Sequence, residues 1–407
     1  MRRPVTSLQP KPPDPPEGLT PELLAAYDAT RSKQARGVVC HFPWTTLNFD
    51  QEGRATACCY NRKHVLGRYP VDSLEDMWAG TKAEELRGYI ARAELSHGCE
   101  GCRNQLLARN FDGVLARNAD HYAVPNRRHP PMPSAFEFEL ANTCNLECIM
   151  CSGYFSSSIR RNRERRPPQT SPYDATFVEQ LVPFLPHLRF TRFLGGEPFL
   201  IGIYYEIWDQ ILKHNPSLEV SITTNATVLK PRTRKILESL QSHIVVSIDA
   251  LSRTRYEQIR VNADYDSVFD NVEFLRRLTV AKGTSMSFAV CPMTINWDEM
   301  PAIVDYCNAH DIEVHFNTVT WPSNLSLRDA GPIELERVES GLSTFDPPGG
   351  TVIERANRNA YVSLVSQIAY WRQQSVSTVV EISNQMRRSP RLPTDPDQPL
   401  LRRSGAD

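Results

Sequence analysis

Three cysteines, Cys144, Cys148 and Cys151, lie within eight residues directly after the alternating stretch 136–140. Alternation of this kind predicts a short β-strand, so the three thiols lie in a loop where a strand ends. A cubane iron–sulfur cluster normally takes four thiolates, and three leave one iron open to bind a small molecule and pass it an electron. Structural zinc takes four protein ligands. No histidine lies near this loop, so the spacing favours an open cluster over zinc or three packed thiols.

A second motif, Gly195-Gly196-Glu197-Pro198, follows the apolar stretch 188–194. Glycine has no Cβ and reaches positive φ, so two in succession let a backbone approach a ligand closely. A carboxylate directly after them is able to accept hydrogen bonds from an ammonium group. Taken alone, these four residues are typical of an ordinary strand-to-helix turn. Their position one strand–helix unit after the three cysteines makes a ligand-binding loop the better interpretation.

Cys-x3-Cys-x2-Cys followed by Gly-Gly-Glu-Pro resembles the radical S-adenosylmethionine (SAM) enzymes. The resemblance implies that Cys144, Cys148 and Cys151 hold a 4Fe-4S cluster whose open iron is chelated by the amino and carboxylate groups of SAM, and that Gly195–Pro198 receives the amino group. It implies reductive cleavage of SAM to methionine and a 5′-deoxyadenosyl radical, which abstracts hydrogen from a substrate. Met150 is a departure, because the family often has an aromatic residue there, beside the adenine.

The resemblance also places other polar residues near the cofactor. Thr224, Asn225 and Ser247 are expected near the ribose and carboxylate of SAM, and Arg260 is expected to pair with that carboxylate. The alternative for the first three is turn capping, which is common for these residue types.

Cys291 closes a predicted strand, and by default such a cysteine is simply buried. Two other roles are open for it. It completes the first cluster, which would abolish cofactor binding, or it gives a hydrogen atom to a substrate radical. Cys59 and Cys307 have no partner that the sequence assigns.

The segment 135–320 repeats strand and helix. The predicted strands are Phe136–Leu140, Leu188–Leu194, Leu218–Thr223, His243–Ile248, Ser285–Val290 and Glu313–Thr318, and the predicted helices between them are Tyr173–Phe184, Ile203–His214, Pro231–Leu240, Val268–Ala281 and Trp297–Ala309. Such repeats imply an α/β fold with a parallel sheet and with chemistry at the carboxyl ends of the strands. Six units predict an incomplete (β/α)6 barrel, the usual form in the family, with an open side.

Four more cysteines, Cys40, Cys58, Cys99 and Cys102, lie in the segment 38–105, which has a predicted hairpin and two helices. Their chemistry alone allows a structural zinc or a complete cubane. Their spacing, with Cys40-x-x-Pro-Trp, Cys58-Cys59 and Ser73–Trp78, resembles the SPASM/twitch modules that carry an auxiliary 4Fe-4S cluster, although that module usually follows the barrel. The resemblance implies that this small α+β module takes an electron from the substrate radical, giving an oxidation or a crosslink.

Composition limits the partners. The 407 residues contain 46 Lys and Arg against 47 Asp and Glu, so no basic field indicates nucleic acid. No apolar stretch approaches a membrane span or a signal core, which predicts a soluble cytoplasmic protein. In that compartment ten cysteines are more often metal ligands than disulfides. The expected partners are a reducing protein such as ferredoxin or flavodoxin and a peptide or small-molecule substrate.

The remaining segments complete the expected domain organisation. They are a disordered arm at 1–37 with at most a short helix near Pro21–Arg31, a linker at 106–134, a helical extension at 321–386 and a disordered tail at 387–407. A run of arginines at 160–166 indicates a solvated face, and the alternative is a lid over an acidic or peptide substrate.

Two functional alternatives remain. One is a redox-neutral radical epimerase that uses Cys291 as the hydrogen donor. The other is a non-catalytic iron–sulfur or zinc scaffold.

Overall fold

The computed structural model of the protein describes residues 19–121 and 132–388. Within those ranges the strands form one sheet: β1 Thr46–Phe49, β2 Arg54–Thr56, β3 Gly67–Arg68, β4 Ala135–Phe138, β5 Phe190–Phe193, β6 Glu219–Thr224, β7 Gln241–Ser247, β8 Met286–Val290 and β9 Glu313–Phe316. Their order in the sheet is β3-β2-β1-β4-β5-β6-β7-β8-β9. Strands β4 to β9 are all parallel and lie in chain order. The predicted incomplete barrel of six strand–helix units is therefore confirmed.

The N-terminal segment belongs to the same sheet. Strand β1 pairs in parallel with β4, with Leu47 opposite Phe136, while β1 and β2 pair antiparallel as the predicted hairpin. The cysteine-rich segment thus continues the barrel sheet beyond β4. Sequence patterns did not predict this pairing, because they identify strands and say little about which distant strands become neighbours.

Helices connect and cover the strands. They are α1 Pro21–Ala29, α2 Phe42–Thr45, α3 Leu74–Ala79, α4 Thr81–Ala91, α5 Glu100–Leu107, α6 Ser157–Asn162, α7 Ala175–Leu181, α8 Gly202–His214, α9 Pro231–Ser239, α10 Arg253–Ile259, α11 Tyr265–Lys282, α12 Met300–Ala309, α13 Pro332–Leu342 and α14 Val352–Arg388. The side chain of Ser73 accepts from the Asp76 amide and so caps α3. No helix in the described part of the chain combines the length and apolar character that crossing a membrane requires.

The two faces of the sheet differ because side chains alternate along a strand. Phe136 and Phe138 are fully buried; the Phe138 ring contacts Phe177 of α7 and Phe193 of β5, and the Phe136 ring contacts Phe184 after α7. Burying each such ring contributes about 1.5–3 kcal/mol. Glu137, between them, points to the opposite face, which we call the concave face. The helices therefore cover one face and leave the concave face to polar side chains.

Two segments predicted to be disordered or linking are packed instead. Tyr27 of α1 is fully buried, and the buried Arg31 guanidinium bonds both oxygens of Asp120 at 2.8 and 2.5 Å. Residues 19–37 and 106–121 are therefore tied to each other and to the cysteine-rich segment. The prolines of the predicted arm and linker lie mostly outside these packed parts, at 4–16 and 125–133, so composition averaged over each predicted segment hid this. The rest of the predicted arm, linker and tail, at 1–18, 122–131 and 389–407, lies outside the described residues.

The helical extension packs on the far edge of the sheet. The predicted helical extension at 321–386 contains α13 and most of α14. Asn357 of α14 accepts the Val314 amide at 2.8 Å and donates to the Ile312 carbonyl at 2.9 Å. The α14 residues Tyr361, Leu364 and Ile368 are buried in the core.

Candidate functional site

The first cysteine loop lies where β4 ends. Its backbone is held by α10 and the turn after it: the Glu147 amide donates to the Val261 carbonyl and the Ile149 amide to the Ile259 carbonyl, both at 3.0 Å. The Ser156 hydroxyl donates to the Leu146 carbonyl at 2.7 Å. Hydrogen bonds from several elements thus fix the loop that carries Cys144, Cys148 and Cys151.

The three thiols are at least partly buried, and two of them lie beside side-chain N–H donors. Burial raises the pKa of Cys144 to about 11 and that of Cys151 to about 12. The Asn225 amide nitrogen lies 3.9 Å from the Cys144 sulfur, and an Arg260 nitrogen lies 3.8 Å from the Cys148 sulfur. Donors aimed at sulfur stabilise a metal-bound thiolate and orient it.

The two glycines of the second motif allow two loops to touch. Gly195 has φ of 109°, and a Cβ on Gly196 would lie 2.2 Å from the Thr143 carbonyl oxygen. The Gly196 amide donates to the Ala141 carbonyl at 3.0 Å, and the Glu197 amide donates to the Thr143 carbonyl at 2.7 Å. The motif is therefore bonded directly to the residues that lead into Cys144.

Glu197 is fully buried at this contact. Its carboxylate accepts from the Thr224 hydroxyl and the Asn225 amide, each at 2.8 Å, and from the Phe199 amide at 3.2 Å. Burial raises its pKa to about 7. Among the described residues it forms no ion pair, so the site is a desolvated carboxylate that suits an amino group. Thr224 and Asn225, predicted to lie near SAM, hold this carboxylate in place.

Arg260 has a protein partner that the sequence analysis did not assign. Its guanidinium pairs with Asp249 at 2.7 Å, and the other oxygen of Asp249 accepts the Cys291 amide at 2.8 Å. Arg260 therefore joins Asp249 to the sulfur of Cys148, and its pairing with the SAM carboxylate stays a prediction. The position of Asp249 just after a predicted strand was the available signal.

The other predicted residues lie at the same strand ends. Met150 is partly buried against the core, and Ser247 is the last residue of β7. Cys291 follows β8, and burial raises the pKa of its thiol, with the charges of Asp249, Cys148 and Cys151 adding to the effect. Cys291 is thus an electrostatic neighbour of the first cysteine loop. Neither of its two proposed roles is tested by this placement.

The second set of thiols lies in the N-terminal segment. Cys40 precedes α2, Cys58 follows β2, and Cys99 and Cys102 lie at the start of α5. The charges of Cys58, Cys102 and Cys99 all act on Cys40, and burial raises its pKa well above the usual range. The fold therefore brings the four predicted ligands into one neighbourhood.

Asn61 is a residue of this site that sequence reasoning missed. Its amide lies 3.4 Å from the Cys58 sulfur, and its side-chain nitrogen lies 3.3 Å from the Cys99 sulfur. Gly98, at φ of 88°, makes room for it, since a Cβ there would lie 1.9 Å from the Asn61 oxygen. Its closeness to Cys58 in sequence was the only signal.

The two thiol sets lie at opposite ends of the strands β4 and β5. Cys40 and Cys58 pack with Ala135 and Phe190, where β4 and β5 begin, whereas Cys144, Cys148 and Cys151 follow the end of β4. A strand rises about 3.3 Å per residue, so the sheet itself separates the two sites.

Thiols are ligands for zinc and for iron–sulfur clusters, and the two groups differ in how far apart they hold the sulfurs. Thiolates on one zinc ion would lie within about 4 Å of each other, because each Zn–S bond is about 2.3 Å. A four-iron cluster keeps its ligands further apart, and thiols gathered in buried loops with N–H donors fit such a cluster.

Tyr154 connects the two cysteine regions. Its carbonyl accepts from the Gln51 side chain at 2.6 Å, and its hydroxyl lies 3.3 Å from an Arg54 nitrogen and 3.4 Å from an Arg62 nitrogen. Arg62 also donates to the Cys59 carbonyl at 3.1 Å. The loop after Cys151 is therefore bonded to the N-terminal segment.

The arginine run packs partly beside the first cysteine loop. Arg163 donates to the carbonyls of Glu147 and Cys148 at 3.2 and 3.3 Å, and Arg160 donates to the Pro167 carbonyl at 2.5 Å. The other arginines of the run are exposed or half-buried. The segment braces the loop, and both interpretations of its function stay open.

Comparison with known proteins assigns two domains. A model of the Radical SAM superfamily matches residues 138–307, and a model of the iron–sulfur cluster-binding domain SPASM matches residues 40–103. These ranges lie inside the segments 135–320 and 38–105 expected from the sequence.

Curated relatives match over the barrel region. The chain is 30% identical over 183 residues to a GTP 3′,8-cyclase of Chlorobaculum tepidum, covering 44% of this chain and 51% of the relative. It is 27% identical over 173 residues to a probable GTP 3′,8-cyclase of Methanococcus maripaludis, covering 42% and 54%. The chain thus spans about half the length of the curated relatives it matches.

Matches among solved structures include native anSMEcpe with bound AdoMet, at 17% identity and a TM-score of 0.39, covering 52% of this chain and 60% of that one. Another is Streptococcus suis SuiB bound to S-adenosylmethionine, at 16% identity and a TM-score of 0.40, covering 64% and 62%.

Proposed function

We propose that this chain, a SPASM-type radical SAM protein, reductively cleaves SAM and uses the resulting radical to abstract hydrogen from a peptide or small-molecule substrate. An auxiliary cluster held by Cys40, Cys58, Cys99 and Cys102 would supply an acceptor for one electron from the substrate radical, so that the net reaction would be an oxidation or a crosslink. The observation that carries the proposal is that three thiols and the buried Glu197 lie together at the carboxyl ends of the strands β4 and β5.

The chain's own residues divide the work at these strand ends. Cys144, Cys148 and Cys151 are positioned to hold the reactive cluster, and Asn225 and Arg260 place N–H groups beside two of the sulfurs. Glu197 is the acceptor for the amino group of SAM. The bound cluster supplies the electron that splits SAM into methionine and a 5′-deoxyadenosyl radical. An external reductant such as ferredoxin or flavodoxin restores that electron.

The N-terminal thiols have the second role. The auxiliary cluster would be held by the thiols at the other end of these strands, those of Cys40, Cys58, Cys99 and Cys102. Asn61 donates toward two of the sulfurs. A substrate on the concave face would lie between the two sites. Its radical loses one electron and one proton there, which completes a two-electron oxidation.

Metal content and SAM cleavage test the proposal together. After anaerobic reconstitution we expect about eight irons per chain, falling to about four in the triple variant Cys144→Ala/Cys148→Ala/Cys151→Ala. With dithionite the wild type should form 5′-deoxyadenosine, and the triple variant should not. Fully loaded wild type that never cleaves SAM would move the assignment to a non-catalytic scaffold. Four irons plus zinc would remove the electron-acceptor role.

A second candidate reaction is redox-neutral epimerisation. It is suggested by the position of Cys291 after β8, where its amide donates to Asp249 at 2.8 Å and Asp249 pairs with Arg260, which lies 3.8 Å from the Cys148 sulfur. In this reaction Cys291 returns a hydrogen atom to the substrate radical. Solvent deuterium in the product, lost in Cys291→Ala, would support it, and a product oxidised by two electrons would exclude it.

A further inference from the structure

The concave face of the sheet carries charged side chains between the two cysteine sites. Glu137 and Glu139 of the β4 segment point to this face because their neighbours Phe136 and Phe138 pack under the helices. Arg192 of β5 points the same way, since Phe193 beside it contacts Trp208 of α8. None of these charges has a part in holding the cofactors.

Each carboxylate on this face is buried and holds an arginine. Glu137 pairs with Arg192 at 3.2 Å, and Glu139 pairs with Arg62 at 2.7 Å. The Glu137 and Glu139 side chains are 6% and 10% exposed, whereas those of Arg192 and Arg62 are 34% and 31% exposed. The carboxylates are therefore the buried members of each pair, and the guanidinium groups are the more exposed members.

Arg192 has unused hydrogen-bonding capacity. Its bond to Glu137 uses one terminal nitrogen, and its guanidinium lies 5.7 Å above the Phe190 ring. Within the described part of the chain, its other two nitrogens bond no residue. A guanidinium presents donors in a planar fork that matches a carboxylate with two bonds. Arg192 is thus a preoriented receptor for a small anion.

We propose that the concave face binds a carboxylate of the substrate through Arg192, with Arg62 as the second cation, and that the substrate is a carboxylate-bearing molecule rather than a nucleoside triphosphate. This inference rests on the proposed function and names its substrate class. A triphosphate would add several negative charges and would need several unpaired cations, whereas one carboxylate adds a single negative charge and can accept from the N–H groups that Arg192 leaves free. Arg192, Arg62 and the nearby Arg54 are all matched by acids, the last by Asp50 and Glu52.

The test uses N-acetylglycine as a carboxylate probe, with N-acetylglycinamide as its neutral twin and inorganic triphosphate as the third ligand. Binding is measured by saturation-transfer NMR on the protein with both clusters loaded and with saturating SAM, at constant ionic strength. We expect binding of N-acetylglycine and none of its amide. Triphosphate binding tighter than N-acetylglycine would overturn the proposal.

Variants locate the binding. Arg192→Gln should weaken N-acetylglycine at least tenfold, while Arg189→Gln, an exposed arginine just before β5, should leave it unchanged. Glu137→Gln should strengthen binding, because it frees Arg192 of its partner. A merely structural ion pair would give weaker binding in both variants, and that result would overturn the proposal.

Folding is controlled separately. Removing one member of a buried pair leaves an uncompensated charge, so the double variant Arg192→Gln/Glu137→Gln is made as well. It should fold, load iron and still bind N-acetylglycine at least tenfold more weakly than wild type. SAM cleavage without probe is assayed in the wild type: its absence would refute the proposed function, and the anion-binding result would stand apart from it.

Discussion

The two cysteine sites are built in different ways. Cys144, Cys148 and Cys151 come from one loop of eight residues, and the buried Glu197 meets that loop from the next strand–helix unit. Cys40, Cys58, Cys99 and Cys102 are spread over 63 residues and are brought together by a hairpin, two helices and a strand pairing. The first site depends on local loop geometry, whereas the second depends on the fold of a whole module.

The two sites also differ in which residues supply the N–H groups around the sulfurs. At the first site the surrounding donors, Asn225 and Arg260, arrive from separate strand ends. At the second, one side chain, Asn61, lies beside two of the sulfurs. Substitutions at the first site should change chemistry with the fold intact, and substitutions at the second should change both.

Removing the thiols of one site or those of the other should have the largest effect on cluster content and SAM cleavage. The triple Cys→Ala variant of the first loop should lose all SAM cleavage and keep its N-terminal cluster, because its ligands are elsewhere. Cys99→Ala/Cys102→Ala should lose the N-terminal cluster and product formation but still form 5′-deoxyadenosine. Iron content, electron paramagnetic resonance and 5′-deoxyadenosine are measured on both. Loss of both clusters in the first variant would break the comparison.

Glu197→Gln tests the contact between motif and cofactor. A hydrogen bond to a charged group contributes about 1.5–3 kcal/mol, so SAM affinity should fall about tenfold to a hundredfold. The exposed Glu206→Gln on α8 is the matched control. Equal affinity in Glu197→Gln and wild type, by equilibrium dialysis on loaded protein, would remove Glu197 from the site.

The pKa of Glu197, raised by burial to about 7, gives a pH dependence. SAM affinity should strengthen as pH rises from 6 to 8, because only the carboxylate accepts from the amino group. In the free protein the sign is reversed: the group's contribution to stability is full below its ordinary value of 4.5 and is lost as pH rises through about 7. The part of each pH slope due to Glu197 should vanish in Glu197→Gln.

Tyr154→Phe should have the smallest effect. It removes two long hydrogen bonds from Arg54 and Arg62, which together contribute about 1 kcal/mol. The unfolding temperature should fall by about 2 °C. Tyr60→Phe is the control, since its hydroxyl has no hydrogen-bond partner in the described residues. A drop of the same size in the control would show that Tyr154 does not couple the two regions.

Local patterns predicted most of the barrel. The six strands are each found within three residues of their expected bounds, because apolar strands followed by amphipathic helices leave a periodic signal. The candidate ligand thiols could likewise be identified from their spacing in the sequence. Sequence patterns did not predict the contacts of Asp249 and Asn61, or the pairs Glu137–Arg192 and Glu139–Arg62. Most of these contacts join residues far apart in the chain. Asn61 lies close to Cys58, but in sequence it looks like an ordinary turn residue.

The packing of 19–37 shows a further limit. The proline-rich, charged composition of the first 37 residues predicts disorder, yet Leu19, Leu23 and Tyr27 are buried and Arg31 pairs with both oxygens of Asp120. Composition averages over many residues, so it does not reveal a few buried or ion-paired side chains.

The pairing of β1 with β4 also decides how the sheet ends. An unpaired strand edge offers a row of free backbone groups to other chains and invites aggregation. In this protein the edge of β4 is taken by β1, and the sheet then tapers through β2 to β3, a strand of two residues. A fragment starting at Ala135 would expose β4 along its full length. The N-terminal module therefore protects the barrel from self-association as well as carrying thiols, and the two duties cannot be separated by truncation.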